Sequence, residues 1–334
     1  MEFQKKRMEQ LGIKSMGDML RSGELSADID KTRFTGIDER FDPCFRRMSR
    51  GDLVPILGAS GGGKTSFGML LAKSALISNP DEIFIFISLE MREHELAPRW
   101  QKMCKDKPDL WNRFYVITAY DKDGKSKGIK LSKIKRQIDE IKSATGKRVC
   151  TILLDHLHLL KNEEKDLNKV CCDLKDMAVE SDSVLFVLSQ IPKGPKQAGD
   201  IPIEADDAFG VSDLKWLANY VITIHRPLER VREEADLNIL AWQYAKVREE
   251  HEDDKIKPKS NRLLIFEIDK YDFRELNATE ITKFKMYYEQ VLEMREAEEK
   301  KKSFVYELNK KIKKKDGTVV EVKEEFTGME YDEL

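Results

Sequence analysis

The sequence predicts an α/β protein: a largely parallel twisted sheet flanked by helices, with antiparallel strands at one edge. Three observations carry this. Seven short runs, "DLVPIL", "EIFIFISL", "RVCTILL", "SVLFVLS", "NYVITIH", "LNILAWQYA" and "NRLLIFEID", are nearly continuous in apolarity and rich in Val, Ile, Leu and Phe. That is the pattern of strands buried on both faces. Segments of helical period separate the earlier runs, whereas the last runs crowd together, so the final edge is expected to be antiparallel. The first run also leads into "LGASGGGKTS", a glycine-rich turn followed at once by "FGMLLAKSAL", which has helical spacing.

Bulk properties narrow the classes. A chain of 334 residues can bury one large core with small appendages. Charged residues make up 36% of it but the net charge is only −2, so contact with nucleic acid would rest on local patches. The cysteines (Cys44, Cys104, Cys150, Cys171, Cys172) are odd in number and show no C-x-x-C spacing, which reads as reduced thiols without a zinc site or disulfide framework. No apolar run approaches the ~20 residues that span a bilayer. The start, "MEFQKKRMEQLG", lacks the apolar segment of a signal peptide. The expectation is a cytoplasmic protein with no membrane partner.

Along the chain, residues 1–40 are polar and broken by glycines, as in an arm or linker, and residues 41–276 hold the α/β pattern. Within it, "LSKIKRQIDEIKSATG" places Leu131, Ile134, Ile138 and Ile141 on one helix face and ends at Gly146, a C-cap. "LNKVCCDLKDMAVESD" is a second helix. Residues 277–334 form a charged extension: a long helical pattern, then "DGTVVEVKEEF" as a short hairpin strand and an acidic end. A solvated helix and a partner- or nucleic-acid-binding helix both fit this composition.

"GASGGGKT" matches G-x-x-x-x-G-K-[ST] from Gly58 to Thr65. Glycines let backbone N–H groups turn inward around a β-phosphate, and the following helix aims its positive end at the anion. The candidate cradle is Gly58, Ala59, Ser60, Gly61, Gly62, Gly63, Lys64, Thr65 and Ser66. In it Lys64 reaches the β/γ oxygens and the Thr65 hydroxyl ligates Mg²⁺. "TILLDHLHLL" ends a strand in Asp155, the Walker B pattern, which would hold the water shell of that Mg²⁺. Alternation puts His156 and His158 on one strand face; with no further ligands nearby in sequence, packing or hydrogen bonding accounts for them better than a metal. "IFISLEM" places Glu90 at the end of the next strand, a candidate base for the attacking water, or else a surface carboxylate. "VLFVLSQ" ends in Gln190, whose amide can contact a γ-phosphate, or else simply ends a strand.

Read in order, these pieces resemble the motor domain of DnaB-type replicative helicases, the hexameric superfamily 4 branch of RecA-like ATPases. The resemblance covers roughly residues 34–276. "FTGIDERFD…MSRGDLVPILGASGGGKTSFGMLLA" is similar to the family's lead into its P-loop, and "SLEM" (Ser88–Met91) is a family signature. "LLDHLHLL" resembles I-D-Y-L-Q-L, "LSQIPK" resembles L-S-Q-L-x-R, and "AKVREE" resembles the K-Q-R strand end. "DDAFGVSDLKWLANYVITIHRP" and "LLIFEIDKYDFREL" match the remaining family segments.

The resemblance implies a RecA-like P-loop NTPase core that uses ATP and Mg²⁺ in a homo-hexamer, with sites between neighbours. Lys246 and Arg248 would reach into the adjacent site, Arg248 as an arginine finger of the kind worth ~10³–10⁵ in rate. On the residues alone "KVR" is equally an exposed basic strand end. Single-stranded DNA and a primase or loader are the implied partners, and the implied activity is that of an ATP-dependent DNA helicase in replication. A RecA-fold recombination or regulatory ATPase of the KaiC and RadA groups is the alternative, as is an accessory ATPase that does not unwind DNA. The chain departs from the pattern in three places. A short arm stands where the helicases carry an N-terminal helical domain, a compact form that would suit a phage or mobile element. Phe209 follows Asp207 where an arginine is expected, and "EEHEDDKIKPK" replaces G-P-T-G. Acidic residues in such loops oppose phosphate binding, while Lys193, Lys196 and Lys215 could line a basic pore.

Overall fold

A computed structural model describes residues 48–120, 129–160, 167–191, 200–207, 212–247 and 262–312. The N-terminal arm, Lys193, Lys196, Phe209, Arg248, the "EEHEDDKIKPK" segment and the "DGTVVEVKEEF" hairpin lie outside these residues.

The described strands are β1 (Leu53–Gly58), β2 (Ile83–Ser88), β3 (Phe114–Thr118), β4 (Val149–Asp155), β5 (Val184–Gln190), β6 (Tyr220–His225), β7 (Ile239–Val247), β8 (Arg262–Glu267) and β9 (Asp272–Glu275). They form one sheet in the order β3-β2-β4-β5-β1-β6-β7-β8-β9. From β3 to β6 the pairing is parallel, and from β6 to β9 it is antiparallel. The expected fold class is therefore the observed one.

Helices α1 (Lys64–Ser78) and α2 (Glu93–Met103) cover one face of the parallel part; α3 (Leu131–Thr145) and α4 (Leu167–Glu180) cover the other. Strand alternation sorts the side chains between the two layers. Phe84, Phe86, Phe186 and Ile56 point toward Phe67 and Leu70 of α1, while Ile85, Ile87, Ile152 and Val187 point toward Ile134, Ile138 and Leu174. Because α1 lies under the middle of the sheet it is apolar nearly all round, as a fully enclosed helix must be. Gly68 permits this contact: a Cβ there would sit 2.5 Å from Leu153 Cδ1 of β4. Helix α3 ends at Gly146 in the left-handed conformation, as its sequence predicts.

The antiparallel edge packs differently. A short helix α5 (Ser212–Leu217) precedes β6, a single turn α6 (Arg232–Ala235) follows it, and the long α7 (Ala278–Ile312) lies along the edge. Asn277 and Glu280 cap α7 reciprocally: Glu280 N donates to Asn277 Oδ1 (3.0 Å) and Asn277 N to Glu280 Oε2 (2.9 Å). Phe284, Tyr287, Tyr288 and Val291 then pack on Leu228, Ile239 and Ile265. No described helix is long and apolar enough to cross a membrane.

Candidate active site

Parallel strands place their carboxyl ends in one row, and the segments leaving them meet there. Ser88 of β2 pairs with Asp155 of β4, and Gln190 of β5 pairs with Gly58 of β1. The Leu89 amide donates to the Asp155 carbonyl at 2.7 Å, tying together the exits of β2 and β4. The cradle, Glu90, Asp155 and Gln190 are thus brought to one rim by topology alone.

The loop from Gly58 to Gly63 turns directly into α1. Gly63 is the N-cap residue with φ +93°, a conformation that costs a side-chain-bearing residue about 1 kcal/mol or more. Ser60 and Gly61 face solvent, whereas Lys64 is only 7% exposed. The Lys64 ammonium donates to the carbonyls of Gly58 (3.0 Å) and Ala59 (2.7 Å), both uncharged. Burial pulls its pKa down to about 8, against the opposing pull of the Asp155 and Glu90 charges. A buried cation with only neutral partners favours an incoming anion.

Thr65 Oγ1 donates to Asp155 Oδ2 at 2.6 Å. Asp155 is 1% exposed, and burial pushes its pKa up to about 6, although the Thr65 hydroxyl stabilises the charged form. A hydroxyl and an under-compensated buried carboxylate in contact suit a hard, oxygen-seeking cation, so both residues fit Mg²⁺. Gln190 is half-buried at the end of β5.

Glu90 lies just beyond β2, with its side chain 54% exposed. Its backbone carbonyl accepts from Tyr120 Oη at 2.9 Å, and its carboxylate faces His156 Nδ1 at 3.3 Å. This corrects two sequence expectations. Strand β4 stops at Asp155 and Leu157–Leu159 form a 3₁₀ turn, so His156 and His158 do not share a strand face. Nor is the region without other ligand-type groups, because donor atoms of Glu90, Asp155 and His156 lie within 4.8 Å of one another. Spacing could not reveal this, since the three residues meet only through the β2–β4 pairing. Burial lowers the pKa of His156, and the Glu90 carboxylate raises it in opposition.

Lys246, on β7, donates to the carbonyls of Lys215 (2.6 Å) and Ala218 (2.8 Å), at the end of α5 where a cation complements the helix dipole. It is thus held within its own subunit, away from the P-loop rim. A further group escapes sequence reasoning. Tyr271, in the β8–β9 turn, meets Ser66 Oγ at 3.0 Å and accepts from Arg99 Nη1 at 3.1 Å, while Lys73 of α1 pairs with Asp272. No motif spacing marks it, because its members come from α1, α2 and a turn two hundred residues later.

Comparison with known proteins agrees with this geometry. A model of the ATPase family described as KaiC matches residues 31–210. A search among curated proteins finds no sequence match. Among solved structures, the chain is similar to an isolated ATPase domain of the DnaB-like helicases, with 21% identity and a TM-score of 0.61, over 79% of this chain and 99% of that one. It is equally similar to a DnaB-like replicative helicase solved in a study of its interactions with primase: 22% identity, TM-score 0.61, 79% of this chain and 67% of that one. At these identities the likeness is one of fold, and the fold is the RecA-like one of DnaB-like helicase ATPase domains. The family match spans more than half of the sequence and takes in the P-loop, Glu90, Asp155 and Gln190; the chain belongs to the KaiC family of ATPases.

Proposed function

We propose that the protein is an ATP-driven, ring-forming DNA helicase motor that moves on single-stranded DNA. The observation that carries this reading is the place of Glu90: it follows β2, the strand after the P-loop helix, while His156 occupies the position directly after Asp155. DnaB-like folds in the solved structures support it.

In the proposed mechanism, backbone amides of the cradle and the start of α1 hold the β-phosphate. Lys64 leaves its carbonyl partners for the β/γ oxygens, and Thr65 and Asp155 hold Mg²⁺. The cation supplies positive charge against the terminal phosphate. Glu90 orients the attacking water and takes its proton, and Gln190 contacts the γ-phosphate and registers its departure. Arg248 completes a neighbour's site in a hexamer, while Lys246 supports that strand end from within its own subunit. On this reading residues 41–276 are the cytoplasmic motor, 1–40 an arm toward a neighbour, and 277–334 an extension. Lys193, Lys196 and Lys215 are the candidate DNA contacts, and a primase or loader is a candidate partner.

Single-stranded DNA should stimulate ATP turnover several-fold, with loss of turnover in Lys64→Ala and Arg248→Ala. Full activity of Arg248→Ala as a dilute monomer would overturn the shared site. Fork unwinding and native mass measurement with nucleotide test movement and ring formation. The KaiC family match favours a second reading, a regulatory or recombination ATPase, for which turnover would be indifferent to DNA and no fork would open.

A further inference from the structure

The two ends of Glu90 are fixed very differently. Its backbone is held: Tyr120 Oη donates to its carbonyl, and the guanidinium of the next arginine, Arg92, lies 5.7 Å over the Tyr120 ring. Its carboxylate is not. The side chain is more than half exposed, and the one ion-pair contact it makes among the described residues is with His156 Nδ1. A glutamate has three rotatable bonds, and holding it in one rotamer costs up to about 2 kcal/mol of entropy. A base that wanders loses the advantage of orientation, which accounts for several orders of magnitude in rate.

His156 is suited to choose that rotamer. The residue is 6% exposed, follows the buried Asp155 directly, and its Nδ1 is buried with no hydrogen bond of its own. The Leu89–Asp155 backbone bond fixes the two exits, so imidazole and carboxylate are presented to each other by neighbouring strands. Mg²⁺ takes oxygen ligands, so the imidazole has no place in the shell that Thr65 and Asp155 would provide.

We propose that His156 is a positioning residue for Glu90: its Nδ1 holds the exposed carboxylate against the rim, toward the terminal phosphate. This rests on Glu90 being the base, and it needs neither DNA nor a ring to be tested. The variants are His156→Asn, whose amide can occupy the place of Nδ1, His156→Gln, whose amide reaches past it, and His156→Leu, which keeps volume alone. Steady-state ATP turnover is measured alongside nucleotide affinity, which checks that each variant is folded.

The expected result is a fall in kcat of roughly 10–100-fold for Leu and Gln, with KM and nucleotide affinity within about twofold and most of kcat restored by Asn. In a Glu90→Gln background, His156→Leu should cost nothing further, because both changes remove one function. Equal kcat for Asn and Gln, or losses that multiply in that background, would overturn the inference. So would a His156→Leu variant with the kcat of the unmodified protein. Should Leu fail to bind nucleotide, the Asn–Gln contrast still decides. Undiminished turnover in Glu90→Gln would sink the reading of Glu90 as base together with this one, whereas loss there with indifference at His156 sinks this one alone.

Discussion

The parallel half of the sheet and its antiparallel edge handle charge in opposite ways. At the edge, carboxylates and guanidinium groups neutralise one another. Asp200, fully buried, accepts from Arg230 Nε at 2.6 Å and from Arg295 Nε of α7 at 3.1 Å, and Arg230 also pairs with Glu298. Arg274 of β9 bridges Glu267 of β8 and Glu280 at the start of α7. At the rim of the parallel half, Lys64 meets two carbonyls, Asp155 a hydroxyl, and Glu90 a buried imidazole. Charges cancelled internally hold elements together, whereas charges met only by neutral groups are available to an outside counter-ion, here a phosphate and its metal.

The comparison breaks most visibly at the rim. Lys64→Ala should abolish measurable turnover, and Glu90→Gln should lower kcat by roughly 10²–10⁴ with nucleotide affinity kept. Both proteins should unfold thermally close to the unmodified protein, since neither side chain cements the fold. The edge should answer in reverse. Asp200→Ala leaves two arginines facing each other and should cost about 2–3 kcal/mol in chemical denaturation, the low end for a buried pair because the arginines retain some solvent. Turnover per folded molecule should survive. Loss of turnover without loss of stability would erase the distinction.

Acid sharpens the contrast. The pKa of Asp155 is raised to about 6, so the folded chain holds a proton there that the unfolded chain releases near pH 4. Stability from this residue therefore grows as pH falls through 6. His225, at the seam between the two halves, has its pKa lowered to about 4, chiefly by burial and then by the charge of Arg295. The unfolded chain takes a proton at His225 from about pH 6.5 downward and the folded chain does not. Its contribution thus declines across the same window, by about 3 kcal/mol in all. The two oppose each other, and Asp155→Asn should expose the loss at His225 as a steeper fall in denaturation free energy between pH 6.5 and 4.

The smallest expected effect is a fraction of a proton. With its pKa near 8, Lys64 is partly neutral at pH 8, and a bound phosphate should recharge it. Calorimetry of nucleotide binding in buffers of different ionisation enthalpy should then report proton uptake, about half a proton at pH 8 and vanishing near pH 6. Lys64→Arg should show none.

Much of this is legible because the fold's centre is written in continuous apolar runs. Strands β1, β2, β4, β5 and β6 are buried along their length, and the rim residues sit where those runs end. The edges are harder to read. "FYVIT" lacks the pattern of a buried strand because β3 is terminal and half-exposed, its burial completed by Trp100 of α2 stacked on Phe114 at 4.1 Å. Helix α2 is hidden by Pro98 and by the charges of "MREHELAPR". The meeting of His156 with Glu90 needs the β2–β4 register, and that of Tyr271 with Ser66 needs the β8–β9 turn. Local pattern encodes neither pairing.

Tyr271 and Asp272 hold the β8–β9 turn against α1, and α7 begins a few residues later. At 1.5 Å per residue, a helix of 35 residues extends about 52 Å. Its grip on Asp200 comes at Arg295, near the middle, so the second half of α7 projects beyond its last anchor like the long end of a lever. One degree of tilt at the root would carry an unrestrained tip by about 1 Å. Small changes beside the phosphates thus have a built-in mechanical amplifier, legible from outside as a distance.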